Sequence, residues 1–275
     1  MNKLLVLSSI LVAFVFLSFL DKTASEQNLA VGFLSVQAQS DTQTIQTPLI
    51  FNNSSNSENR GESTNTENAP RGRKADPPFG ENDGEVDCSA LVDPEQPLTS
   101  IVPGIEDRYF TSRTLSERPV LWFYVPEVGE VQAEFTLLTA DNLYQKSFDL
   151  SSTRGIIGLQ LPTNILLENT DRNYEWALTI VCDEYNPAGN PYVTGKIQRV
   201  EQSLTISNQT FDEQIRLFAS NGLWHETFTT IATELYAEDS QLAQSRLREL
   251  FSSASVDLEY LQNQPVLEVI ELPEE

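Results

Sequence analysis

Segments in which apolar and polar residues alternate fill the middle of the chain, between about residues 88 and 203. Alternation of period two is typical of a strand that buries one of its faces. In the clearest segment, residues 174–182, every second residue is apolar: Tyr174, Trp176, Leu178, Ile180 and Cys182. The same pattern predicts further strands over residues 133–137, 144–150, 157–161 and 192–200.

One predicted strand differs from the others because it is apolar throughout. Residues 120–125 lie between Pro119 and Pro126, and an uninterrupted apolar run of this length is typical of a strand covered on both faces. The turn signal at residues 140–142 separates two alternating segments and indicates a hairpin. About seven short strands at this spacing predict a mainly β fold, an antiparallel Ig-like β-sandwich over residues 88–203.

After Ser203 the apolar residues recur with a period of about 3.6, which is the period of an α-helix. Thr210 and Glu213 form a capping-box pattern that marks a helix start, and Asn221-Gly222 is a stop signal of the C-cap type. The sequence therefore predicts a C-terminal α-helical pair or triplet over residues 204–262, packed against the sandwich. The predicted helices begin at Thr210, at Leu223 and near Asp239 or Ser240.

The N-terminus has the layout of a secretory signal peptide. A short basic region, residues 1–3, precedes an apolar run over residues 4–20. Cleavage is predicted near residue 25, or as late as Ala38, where a small-residue pattern also occurs. The run is also long enough for an uncleaved membrane anchor. Both alternatives place the folded part outside the cytoplasm, as a periplasmic or secreted protein.

Two segments that flank the predicted folded part are polar and lack periodicity. Residues 39–87 are predicted to form a flexible linker, because such a composition buries too little apolar surface to offset its ordering entropy. Its basic cluster of Arg71, Arg73 and Lys74 is predicted to be solvated; the alternative is contact with an acidic partner or with the protein's own body. Residues 263–275 are acidic and are predicted to form a loose tail.

The charge of the chain excludes several classes of partner. Its 275 residues include 17 Lys and Arg against 40 Asp and Glu, for a formal net charge of −23. Binding to nucleic acid requires clustered basic residues, so the chain is not expected to bind it. Anionic membranes repel a chain of this charge, and no direct binding of the folded body to such membranes is expected.

The only two cysteines, Cys88 and Cys182, are predicted to form a disulfide. An even number of cysteines in an oxidising compartment favours such a bond, although two separate buried thiols are the alternative. The bond would tie the end of the linker to the far edge of the sheet. A role in redox exchange is not expected, because the chain has no Cys-x-x-Cys motif.

The single histidine, His225, argues against enzyme chemistry. The segment His225-Glu226 begins like the helix of a zinc protease, but Thr229 stands where the second histidine would be required. As a general base, His225 would need a nucleophile, and no Gly-x-Ser-x-Gly turn is present. We expect a packing role for His225 at the rim of the helical stripe, and we predict no catalytic residue, metal or cofactor.

The segment between the last two predicted strands is a candidate binding loop, rich in tyrosine, asparagine and carboxylate. Loops at the end of a sandwich commonly bind partners, and Tyr and Asn make contacts at low entropic cost. Its side-chain oxygens could hold a calcium ion, although the Asp-x-Asp-x-Asp-Gly order of a calcium-binding loop is absent. The alternative is a plain connecting turn. The candidate residues are Asp183, Glu184, Tyr185, Asn186, Asn190 and Tyr192.

These observations support three hypotheses about function. The first is an exported, non-enzymatic interaction or adaptor module with a protein partner outside the cytoplasm. The second is a carbohydrate-binding β-sandwich that uses aromatic residues such as Tyr185 and Tyr192. The third is a hydrolase with an unrecognised pair of carboxylates, because 40 acidic residues offer many pairs and their spacing singles out none.

Several short motifs are distinctive beyond their periodicity. They are Cys88 and residues 98–103, 115–126, 174–176, 181–183 and 221–226. Over about residues 88–250 the chain resembles a cyanobacterial family known only as domain of unknown function 928. The resemblance implies an exported cyanobacterial protein, and it supplies no activity, cofactor or catalytic residue.

Overall fold

The computed structural model describes residues 49–51, 73–75, 88–105, 108–109, 111–138, 143–150, 154–168, 172–238 and 240–274. Its strands are β1 Thr99–Ser100, β2 Gly104–Ile105, β3 Arg108–Tyr109, β4 Ser112–Thr114, β5 Val120–Val125, β6 Val131–Leu138, β7 Leu143–Leu150, β8 Gly155–Gln160, β9 Tyr174–Val181, β10 Tyr192–Arg199 and β11 Val266–Glu271. Its helices are α1 Phe211–Ser220, α2 Trp224–Glu238 and α3 Gln241–Phe251.

The described strands form two main sheets and one short pair. The order is β1-β5-β8-β11 in the four-stranded sheet and β4-β10-β9-β6-β7 in the five-stranded sheet, while β2 pairs with β3. β10 pairs with β4 in parallel, and β11 pairs with β8 in parallel. The fold is therefore mainly β, as predicted, but the prediction of purely antiparallel sheets is wrong because both sheets are mixed.

The predicted burial of both faces of β5 is confirmed. Alternate residues Leu121, Phe123 and Val125 belong to the core that contains residues of β6, β9 and β10. The intervening residues Trp122 and Tyr124 belong to a second core with the helices. Since successive side chains of a strand point to opposite faces, β5 forms the middle layer between the five-stranded sheet and the helices.

Aromatic rings of α2 and α3 form the centre of the second core. The Phe228 ring stacks on Phe251 at 5.6 Å between ring centroids and on Trp224 at 6.1 Å. Trp122 of β5 meets Phe228 edge-on at 5.4 Å. Offset-stacked and edge-on pairs of this kind stabilise a core beyond the area that they bury. They attach the helical layer to the outer face of the four-stranded sheet.

The helix boundaries follow the predicted signals closely. Thr210 is the N-cap of α1, with the complete capping box to Glu213. Gly222 adopts a φ of 67° between α1 and α2, a left-handed conformation that favours glycine. Ser240 caps α3 through the backbone N–H of Ala243. The predicted triplet of helices is thus confirmed.

The acidic C-terminal segment is not the loose tail that its charge suggests. β11 is an edge strand, and Leu272, which follows it, is buried and donates its backbone N–H to the Gln160 carbonyl at 3.0 Å. The Tyr144 hydroxyl donates to the Pro273 carbonyl at 2.7 Å. The prediction of a loose tail is wrong for this segment because backbone pairing with β8, an interaction across the fold, holds it in place.

Two pieces of the predicted linker pack against the folded body. Leu49 and Phe51 are buried among the helices. Arg73 is 1% exposed, and its guanidinium donates to the carbonyls of Val102, Val256 and Asp257. The prediction of a solvated arginine is wrong at this position, since backbone carbonyls replace the water around the guanidinium. Residue 71 and most of residues 39–87 lie outside the described part of the chain.

The predicted disulfide between Cys88 and Cys182 is present in the structure, with the two Cα atoms 6.1 Å apart. Cys182 directly follows β9, which is the middle strand of the five-stranded sheet. The expectation that the bond reaches the far edge of the sheet is therefore wrong. It joins the segment before β1 to the centre of the sheet instead.

Replacing Gly195 with alanine is expected to destabilise the domain by about 1–3 kcal/mol, because added volume in a packed core forces its neighbours out of place. A Cβ atom at this position of β10 would lie 2.1 Å from the Trp176 ring. Urea denaturation followed by circular dichroism measures the effect. Gly129→Ala is the matched control, since a Cβ atom there meets nothing within 4 Å. Equal losses of stability in both variants would contradict the expectation.

Candidate functional site

The loop between β9 and β10, residues 182–191, is fixed by its own side chains. The Asp183 carboxylate oxygen Oδ1 accepts hydrogen bonds from the backbone N–H groups of Tyr185 at 2.8 Å and Asn186 at 3.2 Å. This side-chain-to-backbone pattern is an Asx turn, which orders the start of the loop. A short 3-10 turn, Pro187–Gly189, follows it.

Asn190 closes the base of the same loop. Its Oδ1 accepts from the backbone N–H groups of Cys182 and Asp183, both at 2.9 Å, and its Nδ2 donates to the Asp183 carbonyl at 3.1 Å. The Asn190 side chain is buried. Because Cys182 is also bonded to Cys88, the base of the loop is held by a covalent bond and by three hydrogen bonds of one amide group.

The six predicted binding residues therefore divide into two groups. Asp183 and Asn190 build the loop, and their polar atoms are used inside it. Tyr185 is 97% exposed and Tyr192 is 37% exposed, while Glu184 and Asn186 are exposed beside Tyr185. Tyr185, Glu184 and Asn186 form the most exposed part of the loop. Across the described residues, no group of acidic, cysteine or histidine side chains is arranged to hold a metal ion.

A cleft of about 320 Å³ lies at the end of β5, and the sequence did not single it out. Three carboxylates face it together with one arginine, one tyrosine and one glutamine: Asp93, Glu95, Glu127, Arg154, Tyr124 and Gln96. These residues come from three separate parts of the chain. Since no local spacing connects them, only the packing of the segment after Cys88 against β5 brings them together.

Tyr124 forms the floor of this cleft. Its hydroxyl donates to Gln96 Oε1 at 3.3 Å, and the Arg154 guanidinium lies 6.0 Å from the centre of its ring. Burial raises the pKa of the Tyr124 hydroxyl, and the nearby positive charge of Arg154 offsets part of this rise. Tyr124 is therefore a neutral hydrogen-bonding group at physiological pH, in a cleft whose exposed rim is mostly acidic.

His225, at the start of α2, links the helix to both sheets. Its Nδ1 lies 3.1 Å from the Val120 carbonyl of β5, and its Nε2 lies 2.8 Å from Ser112 Oγ of β4. A carbonyl can only accept, so Nδ1 carries the proton of the neutral ring and Nε2 is an acceptor. Ser112 Oγ, whose one proton can be donated to Nε2, also lies 3.0 Å from the Lys196 carbonyl oxygen. His225 and Ser112 are both buried. The packing role of His225 is confirmed, but its predicted place at the rim is wrong.

Glu226, the neighbour of His225, binds the segment that follows β4. Its Oε1 accepts from Thr114 Oγ1 and Leu115 N–H, both at 2.7 Å, and from Ser116 N–H at 3.2 Å. Burial raises the pKa of the Glu226 carboxyl, although these three hydrogen bonds favour its charged form. Together with His225, it fastens the N-terminus of α2 to the end of β4.

Acidification is expected to destabilise the domain through His225. Burial lowers the pKa of His225 from 6.5 to about 4, so between these values the unfolded chain binds a proton that the folded chain does not. Stability therefore falls as pH decreases through this range, by about 3 kcal/mol in total. Urea denaturation at a series of pH values from 7 to 4 measures this slope; His225→Asn, which cannot titrate, is expected to reduce it.

Glu226→Gln is the matched control for this pH dependence. Because the folded-state pKa of Glu226 is raised, its contribution has the opposite sign: stability is lost as pH rises through that pKa. In Glu226→Gln, the free energy of unfolding is therefore still expected to fall as the pH decreases from 7 to 4. An unchanged slope in His225→Asn would contradict the assignment of this slope to the histidine.

These observations define a disulfide-bonded, mainly β domain with two sheets and a layer of three helices. The chain belongs to the family described as Domain of Unknown Function (DUF928), whose model matches residues 80–266. No curated protein matches the chain. No helix in the described part of the chain is long and apolar enough to cross a membrane.

Three of the six motifs that carry the family resemblance meet around the start of α2. Trp224 Nε1 donates to the Ile101 carbonyl at 2.7 Å. His225 reaches the carbonyl of Val120, and Glu226 reaches the backbone of Leu115. Residues 98–103, 115–126 and 221–226 thus hold the helices to the sheets. Trp224 and His225 are buried at this junction.

Proposed function

We propose that this protein is an exported, non-enzymatic interaction module that binds a protein partner outside the cytoplasm through the β9–β10 loop. The observation that carries the proposal is Tyr185, which is 97% exposed on a loop fixed by Asp183, Asn190 and the disulfide. An ordered loop loses little entropy on binding, and an exposed tyrosine offers a large contact surface with few rotatable bonds.

Export is part of the same proposal. Disulfides persist in oxidising compartments outside the cytoplasm, and the Cys88–Cys182 bond supports a periplasmic or secreted location. The predicted signal peptide, residues 1–25, lies outside the described residues. The Ig-like assignment of the sandwich stays a prediction; in such folds, loops at the end of the sandwich commonly form the binding surface.

The charge supports a particular kind of protein partner. At a net charge of −23, the chain attracts surfaces of positive potential and repels nucleic acids and anionic lipids. Glu184, which is exposed next to Tyr185, extends this negative surface to the loop. A partner with an aromatic-binding pocket rimmed by Lys or Arg has the complementary chemistry.

Photo-crosslinking in intact cells tests the proposal. A photoreactive amino acid at position 185 is expected to capture a partner, whereas the same group at Tyr236, which is 65% exposed on α2, is the matched control. With the purified partner, Tyr185→Ala is expected to weaken binding by about tenfold or more, the size of a typical hot-spot loss. Equal capture at both positions, or unchanged affinity of Tyr185→Ala, would refute the role of the loop.

Glycan binding through the same loop is a second candidate function, favoured by the exposure of Tyr192 at the other end of the loop from Tyr185. Exposed aromatic rings offer flat apolar faces to a ligand. A glycan array probed with the whole chain separates the two candidate functions. If the loop binds only a protein partner, the chain is expected to bind no sugar on the array. Retention that is lost in Tyr185→Ala would support sugar binding.

The cleft beside Tyr124 keeps the hydrolase hypothesis testable. Asp93, Glu95 and Glu127 line one opening, and glycoside hydrolysis requires two carboxylates that flank the scissile bond. Turnover of a glycoside substrate that disappears in both Glu127→Gln and Asp93→Asn would replace the interaction proposal. Turnover that survives both substitutions would not come from this cleft.

A further inference from the structure

Residues 49–51 occupy a groove on the helical layer as an extended segment. Leu49 and Phe51 are each 4% exposed, whereas Ile50 between them is 69% exposed. This alternation is that of a strand-like peptide with two side chains inserted and the middle one facing solvent. Residues 52–68, which directly follow this segment, are polar. The burial of Leu49 and Phe51 is therefore not explained by apolar residues that follow them in the sequence.

The groove contacts both the side chains and the backbone of this segment. The Phe51 ring meets Trp224 edge-on, with 5.1 Å between ring centroids. Leu49 N–H donates to Glu249 Oε2 at 3.0 Å, and Ser255 Oγ lies 3.5 Å from the Phe51 carbonyl oxygen. The contacts therefore come from α2, α3 and the loop after α3.

Charged hydrogen bonds from the body hold the acceptor for the peptide backbone in position. Glu249 Oε2 also accepts from Arg246 Nη1 at 2.6 Å, and Arg246 Nε donates to Asp212 Oδ1 at 2.5 Å. The Arg246 side chain is almost fully buried. Because charge-assisted hydrogen bonds of this kind fix side-chain positions, Glu249 presents a preoriented carboxylate to an incoming N–H group.

Arg73 is a second anchor that attaches the N-terminal part of the chain to the body by contacts of its own. The Arg73 guanidinium donates to the carbonyls of Val256 and Asp257, next to Ser255, which contacts Phe51. The backbone of Arg73 also accepts from Ser100 N–H at 2.8 Å. Phe51 and Arg73 thus both contact the loop after α3, each through its own set of hydrogen bonds.

We propose that this groove is a peptide-recognition site and that residues 49–51 are its tethered resident ligand. The exchangeable occupant is an extended segment of a partner protein with an aliphatic residue followed, two positions later, by phenylalanine. The resident segment itself defines this chemistry: two apolar insertions separated by one solvent-facing residue, and one backbone N–H directed to Glu249. Recognition of an extended segment through alternate side chains and main-chain hydrogen bonds is a recurrent mode of peptide binding.

The site differs from the β9–β10 loop in residues and in ligand chemistry. None of the groove contacts described above involves Tyr185 or its neighbours. The covalent connection of the resident segment raises its effective concentration to the order of mM, so that an external segment of the same sequence competes poorly with it. Vacating the groove by mutation is therefore expected to reveal a latent binding site.

Fluorescence anisotropy with a labelled synthetic peptide of residues 47–53 tests the proposal on the full chain. The variant Leu49→Ala/Phe51→Ala is expected to bind this peptide at least about tenfold more tightly than the unchanged chain, because its own segment no longer fills the groove. A peptide with Phe51→Ala is expected to lose about tenfold or more in affinity. Ile50→Ala is the matched control, and it should behave like the unchanged chain.

Failure of the double variant to bind the peptide, while its circular dichroism spectrum matches that of the unchanged chain, would overturn the proposal. If the double variant does not fold, a fluorophore attached to Ile50→Cys gives a second readout in an otherwise unchanged chain. Unlabelled peptide at concentrations above the effective concentration of the resident segment, on the order of mM, is then expected to release the labelled segment and to lower its anisotropy. No change at these concentrations would overturn the proposal. Exchange of segments between two chains, seen as dimers in light scattering, would identify a second copy as the occupant and overturn the assignment to a partner protein.

Discussion

Replacing Cys88 and Cys182 together with alanine is expected to lower the free energy of unfolding by about 4–5 kcal/mol, according to the chain-entropy model of loop closure. The bond joins residues 94 positions apart, and a cross-link over so long a loop removes many conformations from the unfolded chain. Both cysteines are buried in the core between the sheets, so the two alanines leave only small cavities. Urea denaturation followed by far-ultraviolet circular dichroism measures the loss.

Reductant provides the control for this experiment. It is expected to destabilise the unchanged chain and to leave the double variant unaffected, because that variant has no bond to reduce. Hydrogen exchange at the backbone N–H groups of Cys182 and Asp183 should also become faster in unchanged, reduced protein, since Asn190 binds both groups next to the broken bond. Equal stability of the oxidised and reduced chains would contradict a structural role of the disulfide.

Trp224→Ala is expected to cost about 3–5 kcal/mol, the range for removal of a large aromatic side chain from a core. Trp224 is fully buried, and its ring touches Phe51 and Phe228. Its Nε1 donates to the carbonyl of Ile101, so the substitution also leaves a buried acceptor without its partner. Thermal and urea denaturation of the full chain measure the change.

Two further variants separate the contributions of Trp224. Trp224→Phe retains an aromatic ring but not the hydrogen bond to Ile101, and we expect an intermediate loss of stability. Tyr236→Ala removes an exposed aromatic residue from the same helix, and it should change stability by no more than about 0.5 kcal/mol. A similar effect of Tyr236→Ala and Trp224→Ala would contradict the central position of Trp224 in the helical core.

Much of the secondary structure follows from local sequence. The alternation of residues 174–182 predicts β9, and the continuous apolar run of residues 120–125 predicts a strand buried on both faces. The capping box at Thr210 and the glycine at position 222 mark the ends of α1. These features depend on residues within a few positions of one another, so the spacing along the chain contains the necessary information.

The same local reasoning failed where a short segment depends on a distant partner. β11 was expected to be a loose acidic tail, but its backbone pairs with β8. Arg73 was expected to be solvated, but carbonyls from two distant loops surround its guanidinium. In both cases the stabilising hydrogen bonds are made to backbone groups, which every residue has and which the amino-acid sequence therefore does not reveal.

The candidate sites divide in the same manner. The loop at residues 183–192 was predicted from its composition, and its internal hydrogen bonds use Asp183 and Asn190, two residue types that commonly stabilise turns. The carboxylate cleft was not predicted, since its acidic residues do not differ locally from the many others on the chain. Burial of Leu49 and Phe51 was not predicted either, because two apolar residues beside a long polar segment have no visible partner in the sequence.

By itself, the sequence predicted the mainly β composition, a C-terminal helical pair or triplet and a disulfide between the only two cysteines, and its single histidine excluded sites that need two. Only the tertiary structure decided that the sheets are mixed, that His225 is buried with contacts to β4 and β5, and that Leu49 and Phe51 pack into the helical layer. The physical reason is the range of the interactions: strand alternation and helix caps act over a few residues, whereas strand pairing, burial and grooves are formed by segments that lie far apart along the chain.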